Sequence, residues 1–204
     1  MLSSLPALSP AASVLRSGLA VLSTPVLAEK IRISQEAVQS WNRRELDIGT
    51  EMAVAMENKA DIDQDGRDRG TPLTPPPDFP ARPVRPRLVE AREIQSPKQT
   101  AKSHGLTLAQ VLLHNVAHIE LTAVDMYWDT IVRFAPLDPA LRGSAEIRRE
   151  FCRDFIQVVG DEARHLDLTL RRMHDLGIEY GALDCHKSLW DVGIMTRFSS
   201  PRLL

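Results

Sequence analysis

The sequence has little cysteine. Cys152 and Cys185 are the only two in 204 residues, and no Cys-x-x-Cys occurs. That excludes a disulfide framework and predicts free thiols in a reducing compartment. A dominant charge is lacking too. The 25 Lys and Arg face 27 Asp and Glu, for a formal net charge of -2. Nothing in that balance draws the chain toward nucleic acid or an acidic membrane surface. Long apolar runs are missing, since stretches such as Gly18 to Leu22 fall far short of the roughly 20 residues of a membrane span. Alternating strand patterns with hairpin turns are missing as well. What is there is 43% hydrophobic and 25% charged residues, the balance of a soluble globular protein. The expected class is all-α.

Three zones follow one another. Residues 1–58 read as an N-terminal helical segment: Leu15, Leu19 and Leu22 recur at helical spacing, and the pattern resumes from Ile31 to Trp41 after Pro25. The first 28 residues hold Arg16 as their only charge. An amphipathic helix of the domain fits this better than a transit peptide, so the expected location is cytoplasmic, with mitochondrial the alternative. Residues 59–104 are a polar turn and a proline-rich arm. Seven of the fourteen prolines fall between Pro72 and Pro86, which predicts an extended strap or linker, since proline has no N–H for helix or sheet. Asp61-x-Asp-x-Asp-Gly66 has the opening of a calcium loop, but its twelfth position is Pro72 and not the bidentate Glu such a loop needs. A solvated turn is expected there. Residues 105–204 carry the strongest pattern. They predict one helix from Thr107 to about Phe134, a second from Ala145 to about Leu176, and a short third from Lys187 to Arg197.

The two long helices carry ionisable groups where apolar ones are expected. Leu113, Val116, Glu120, Ala123, Val124, Tyr127 and Ile131 form one stripe, with Glu120 its only charge. Phe151, Phe155, Val158, Glu162, His165, Leu166, Thr169 and Met173 form the other. Glu162 and His165 are three apart and project toward one point. A Glu facing Glu-x-x-His on a neighbouring helix is half of a carboxylate-bridged dimetal site. Carboxylates bridge ions and change denticity, and imidazole nitrogen suits iron. The same pattern fits a buried Glu–His hydrogen bond or a pair on a wet face, and helical spacing leaves both open.

Other residues read more plainly. His114 and His118, with Asp125, fall on the face opposite Glu120. They lack the His-Glu-x-x-His arrangement of zinc enzymes, so packed, hydrogen-bonded histidines are expected. Asp161, four residues before His165, orients that ring or is a plain surface acid; Asp161 and His118 are the candidates to support the metal ligands from behind. Trp128, Trp190 and Cys152 are expected to pack. The arginines Arg148, Arg149, Arg153, Arg164, Arg171 and Arg172 alternate with acids, as on a solvated face.

The runs Leu113 to Asp125, Val159 to His165 and Leu176 to Gly181, with His186-x-x-x-Trp190 and the arm Pro75 to Pro83, resemble a ferritin-like family catalogued as a domain of unknown function. The likeness extends over most of the chain from about residue 15. It implies a ferritin-like bundle with metal held by Glu120, Glu162 and His165. Iron, as a di-iron pair, is the expected metal and manganese the alternative. The wider superfamily includes oxygen-activating di-iron hydroxylases, one of them a tRNA-modifying monooxygenase, as well as ferroxidases and manganese catalases. Members of the resembled family continue with two more bundle helices carrying a second ligand set. Here no acidic residue follows Asp191 and the sequence ends at Leu204, which predicts a bundle truncated after two core helices, with three of six ligands.

Three expectations follow. A homo-oligomer completes the site and acts on a small-molecule substrate as an oxidase or hydroxylase. A shortened chain binds no metal. A non-catalytic helical protein serves packing or partner binding.

Overall fold

The computed structural model describes residues 13–48, 80–137 and 144–191. Residues Asp61 to Gly66, expected to form a solvated turn, the proline-rich stretch before residue 80, residues 1–12 and the residues after 191 lie outside them. The described chain is mostly helical, as the sequence predicts. Helix α1 (Val14–Ser23) is capped by Ser13, whose Oγ accepts from the Arg16 amide at 3.3 Å. The chain breaks around Pro25, and α2 runs Leu27–Asn42. Helix α3 (Pro97–His104) has a Ser96/Gln99 capping box and ends at Gly105, with φ 64°. The long pair is α4 (Leu108–Leu137) and α5 (Ala145–Asp175), the latter capped by Ser144. A further helical turn covers residues 188–191. Among the described residues, no helix is long and apolar enough to cross a membrane.

Helices α4 and α5 form an antiparallel hairpin. Gln110 Nε2 donates to the Leu176 carbonyl at 2.8 Å, and the Tyr127 and Phe155 rings lie 6.0 Å apart. Helices α1 and α2 pack against one side of this hairpin. Two glycines permit the close approach. A Cβ on Gly18 would stand 2.6 Å from Val132 and 2.8 Å from Trp128, and one on Gly160 would stand 2.6 Å from Val38. Trp128 is fully buried, and its Nε1 donates to Ser34 Oγ at 2.9 Å. Cys152 and Trp190 are buried too. The described end of the proline-rich arm is a strap. Ala81 N donates to the Leu22 carbonyl at 2.7 Å. Further along, β1 (Leu88–Val89) pairs in parallel with β2 (Cys185–His186), with Leu88 opposite Cys185. A single parallel bridge between Ser13 and Asp47 adds the other strand-like pairing among the described residues.

The buried face of α4 is not the one expected. Val124 and Ile131 are buried as predicted, but Val116 is 38% exposed, and Leu113, Glu120, Ala123 and Tyr127 are half-buried. The fully buried face instead carries His114, Ala117, Leu121, Asp125 and Trp128. The α1–α2 pair docks on this face and brings Lys30 to Asp125 at 2.6 Å, both without exposed side-chain surface. A paired charge is admissible in a core; a lone one is not. On α5, Phe151, Leu166 and Met173 are buried, while Phe155, Val158, Glu162, His165 and Thr169 lie at the edge.

Candidate metal centre

Glu120 comes from the middle of α4, and Glu162 and His165 from the facing stretch of α5. Each offers one ligand atom, and the three atoms lie within 4.8 Å of one another. His165 Nδ1 is 3.4 Å from Glu162 Oε2 and 3.8 Å from Glu120 Oε2. The carboxylates are 18% and 21% exposed and the imidazole 43%. The cluster therefore opens to one side. Burial first, then a hydrogen bond with Glu162 and the Glu162 charge, push the Glu120 carboxyl up to about 7, against a smaller opposing effect of His165. Two carboxylates held together in a half-dry setting share a proton.

This donor set fits a divalent transition metal. With metal–ligand bonds of about 2.1 Å, neighbouring ligand atoms sit roughly 3.0–3.4 Å apart. The observed separations are within small side-chain rotations of that. Two anionic oxygens and one neutral nitrogen neutralise a dication and suit iron, manganese or zinc.

The two supporting candidates are placed differently. Asp161 is exposed and lies 3.5 Å from Arg164 Nη2. His118 is not at the cluster. Its Nε2 lies 2.9 Å from the His186 carbonyl and its Nδ1 2.9 Å from Tyr180 Oη. The carbonyl accepts only, so Nε2 carries the proton and Nδ1 accepts from the tyrosine. His114 is likewise a clamp: its Nε2 accepts from the Gly181 and Leu183 amides at 3.0 and 3.4 Å. Burial pulls both rings down to about 4, so they stay neutral. These are packed histidines, as the sequence pattern predicts.

Sequence reasoning missed two features. One is the buried charge layer. Lys30 Nζ also donates to the Val21 carbonyl at 2.7 Å, and Arg82 of the strap reaches Asp125 Oδ2 at 3.3 Å and Thr122 Oγ1 at 3.2 Å. Burial lowers the Lys30 ammonium and raises the Asp125 carboxyl, each partly offset by the other. The only signal was a lysine beside apolar Ile31 and Ile33 on α2. The other is Arg164, which stands 3.2 Å from His165 Nε2; spacing placed it with the solvated arginines.

Comparison with known proteins adds the following. A family model described as "Protein of unknown function (DUF455)" matches residues 23–201. An "Uncharacterized protein" of Haemophilus influenzae is 29% identical over 128 residues, which is 61% of this chain and 41% of that relative. The chain thus spans about two-fifths of the length of the curated relative it matches. No solved structure matches the chain.

Proposed function

The chain belongs to the DUF455 family of proteins of unknown function, and we propose that it is a ferritin-like metal protein whose Glu120, Glu162 and His165 hold iron, with manganese the alternative. The observation that carries this reading is the convergence of three ligand atoms within 4.8 Å from two helices. Three ligands on one helical hairpin are half the set of a carboxylate-bridged pair of ions. A second copy of the chain, across a two-fold axis, supplies the other half. The cluster's position supports this: Val116, one turn before Glu120, and Leu112, a further turn back, are 38% and 46% exposed.

A pair of iron ions held there would supply redox chemistry toward dioxygen and a small-molecule substrate. The chain's own part is to place the ligands. Glu120 and Glu162 would supply carboxylate oxygens and His165 an imidazole nitrogen. Tyr127 and Phe155, seven residues from Glu120 and Glu162 on their helices, pack against each other with ring centroids 6.0 Å apart.

The competing reading is a non-catalytic helical protein for packing or partner binding. Its support is that the cluster finds partners within itself, with His165 Nδ1 3.4 Å from Glu162 Oε2. Elemental analysis of protein purified with iron and manganese supplied separates the two. About one metal per chain is expected for a two-ion site shared by a dimer. Glu162→Ala and His165→Ala each abolish it while helix content by circular dichroism stays near the parent's. Metal retained at parental levels in both variants overturns the assignment. No metal in the parent leaves the packing role.

A further inference from the structure

The back of the His165 ring is occupied. Arg164 Nη2 stands 3.2 Å from His165 Nε2 and 3.5 Å from Asp161 Oδ1. A guanidinium only donates and stays charged at any ordinary pH. The Arg164 N–H therefore points into a lone pair on Nε2, and Nε2 carries no proton. In a neutral ring the proton is then on Nδ1, where Glu162 Oε2 at 3.4 Å and Glu120 Oε2 at 3.8 Å accept it. That is the wrong tautomer for metal. Nδ1 faces the cluster, and a metal there needs the Nδ1 lone pair, with the proton moved to Nε2. An Nε2–H would meet the Arg164 N–H donor to donor.

We propose that Arg164 is a latch on His165: it holds the imidazole in its metal-free tautomer, and metal enters only as Arg164 lets go. The inference rests on the metal reading of Glu120, Glu162 and His165. From the same position Arg164 Nη2 also meets Asp161 Oδ1 at 3.5 Å, so a carboxylate is at hand to keep the guanidinium when it leaves Nε2. Asp161 is within reach of Arg164 and sits one turn before His165 on α5. When metal takes Nδ1, the proton resides on Nε2. Asp161 then accepts from Arg164, from Nε2–H, or from both, since a carboxylate has room for several donors. No proton is gained or lost by the ring in this exchange. It passes from Nδ1 to Nε2 through solvent, which reaches the ring because 43% of the side chain is exposed. Arg164 is thus a positioning residue that acts through His165 and touches no ligand atom of the cluster.

Two measurements on the full chain test this. Nitrogen-15 NMR of the metal-free protein at pH 8 reads the tautomer directly, with the His165 signals identified by their loss in His165→Ala. The parent should show the Nδ1–H form, and Arg164→Met should shift the ring toward Nε2–H. Manganese titration should then show Arg164→Met binding about three- to tenfold tighter, the scale of one solvent-exposed hydrogen bond that no longer has to be broken. Tighter binding with an unchanged tautomer means the arginine acts by charge repulsion alone and overturns the latch. An Nε2–H tautomer in the parent overturns it too, whether or not metal binds. Failure of both proteins to take up manganese or iron, with the Nδ1–H tautomer seen, sinks the metal reading and leaves Arg164 as what fixes the ring.

Discussion

Replacing Glu120 with Gln should stabilise the metal-free protein at alkaline pH. In the native state the Glu120 carboxyl is pushed from 4.5 up to about 7, by burial first and by Glu162 next. A raised native value means the folded protein binds the proton more tightly than the unfolded chain does. The stability this gives is fully present below the unfolded value near 4.5 and is lost as pH rises through about 7. One pKa unit corresponds to about 1.4 kcal/mol, so the shift sets an upper limit of roughly 3 kcal/mol. Both carboxylates keep some contact with water, being 18% and 21% exposed. Screening through that opening brings the expected penalty to about 2 kcal/mol above pH 8.

Glutamine has the shape of glutamate and no proton to lose, and its amide can donate to Glu162. Urea and thermal unfolding of parent and Glu120→Gln in chelator, from pH 4.5 to 8.5, give the difference curve. Titrating groups that do not interact with Glu120 cancel in it. The curves should meet near pH 4.5 and separate by about 2 kcal/mol at pH 8, or roughly 4–8 °C in Tm for a chain of this size. Added manganese should reverse the order, since it stabilises only a protein that binds it. If the two proteins run in parallel across the whole range, Glu120 and Glu162 do not share a strained site.

Two further outcomes concern the frame that holds the site. Lys30→Met leaves Asp125 buried with only Arg82 near its far oxygen, and should cost about 3 kcal/mol in urea unfolding; a loss under 1 kcal/mol would show that the pair is not what allows charge in the core. Gly160→Ala places a methyl 2.6 Å from Val38 Cγ2 and should cost about 1–3 kcal/mol despite alanine's better helix propensity. Adding Val38→Ala should restore most of that loss, and no restoration would locate the strain elsewhere.

Much of the frame was legible because its signals are local. The bounds expected for the two long helices, Thr107 to about Phe134 and Ala145 to about Leu176, agree with the structure to within a few residues, whereas the helix Pro97–His104 falls in what reads as the proline-rich arm. The grouping of Glu120, Glu162 and His165 was legible too. Spacing by three fixes two of them on one face, and antiparallel pairing of the long helices brings the third. The rotation of α4 was not legible. Whether Asp125 can be buried depends on Lys30, 95 residues earlier in the chain, and no window of helical length contains both. The tautomer of His165 escaped for a different reason. Arg164 is adjacent in sequence, but only the rotamers show that its guanidinium turns back to Nε2 rather than outward.

Polar groups inside helices are of two kinds here, and their satisfaction tells them apart. His114, His118, Asp125 and Lys30 are buried, and each has an acceptor or donor that matches it: amides for His114, a tyrosine and a carbonyl for His118, each other for the charged pair. Groups so matched fix how α2, the strap and the loop after α5 meet α4, and any further ligand would have to break what they already have. Glu120 and Glu162 are matched by each other and by His165 Nδ1, 3.4 Å from Glu162 Oε2, and the Glu120 carboxyl, pushed up to about 7 chiefly by burial, loses its proton as the pH rises. A metal ion bound there would relieve the crowding of the two carboxylates, although it would have to break the contacts of His165. The buried face of α4 therefore organises the fold, while the half-buried face, less stable on its own, is where a ligand has free energy to gain.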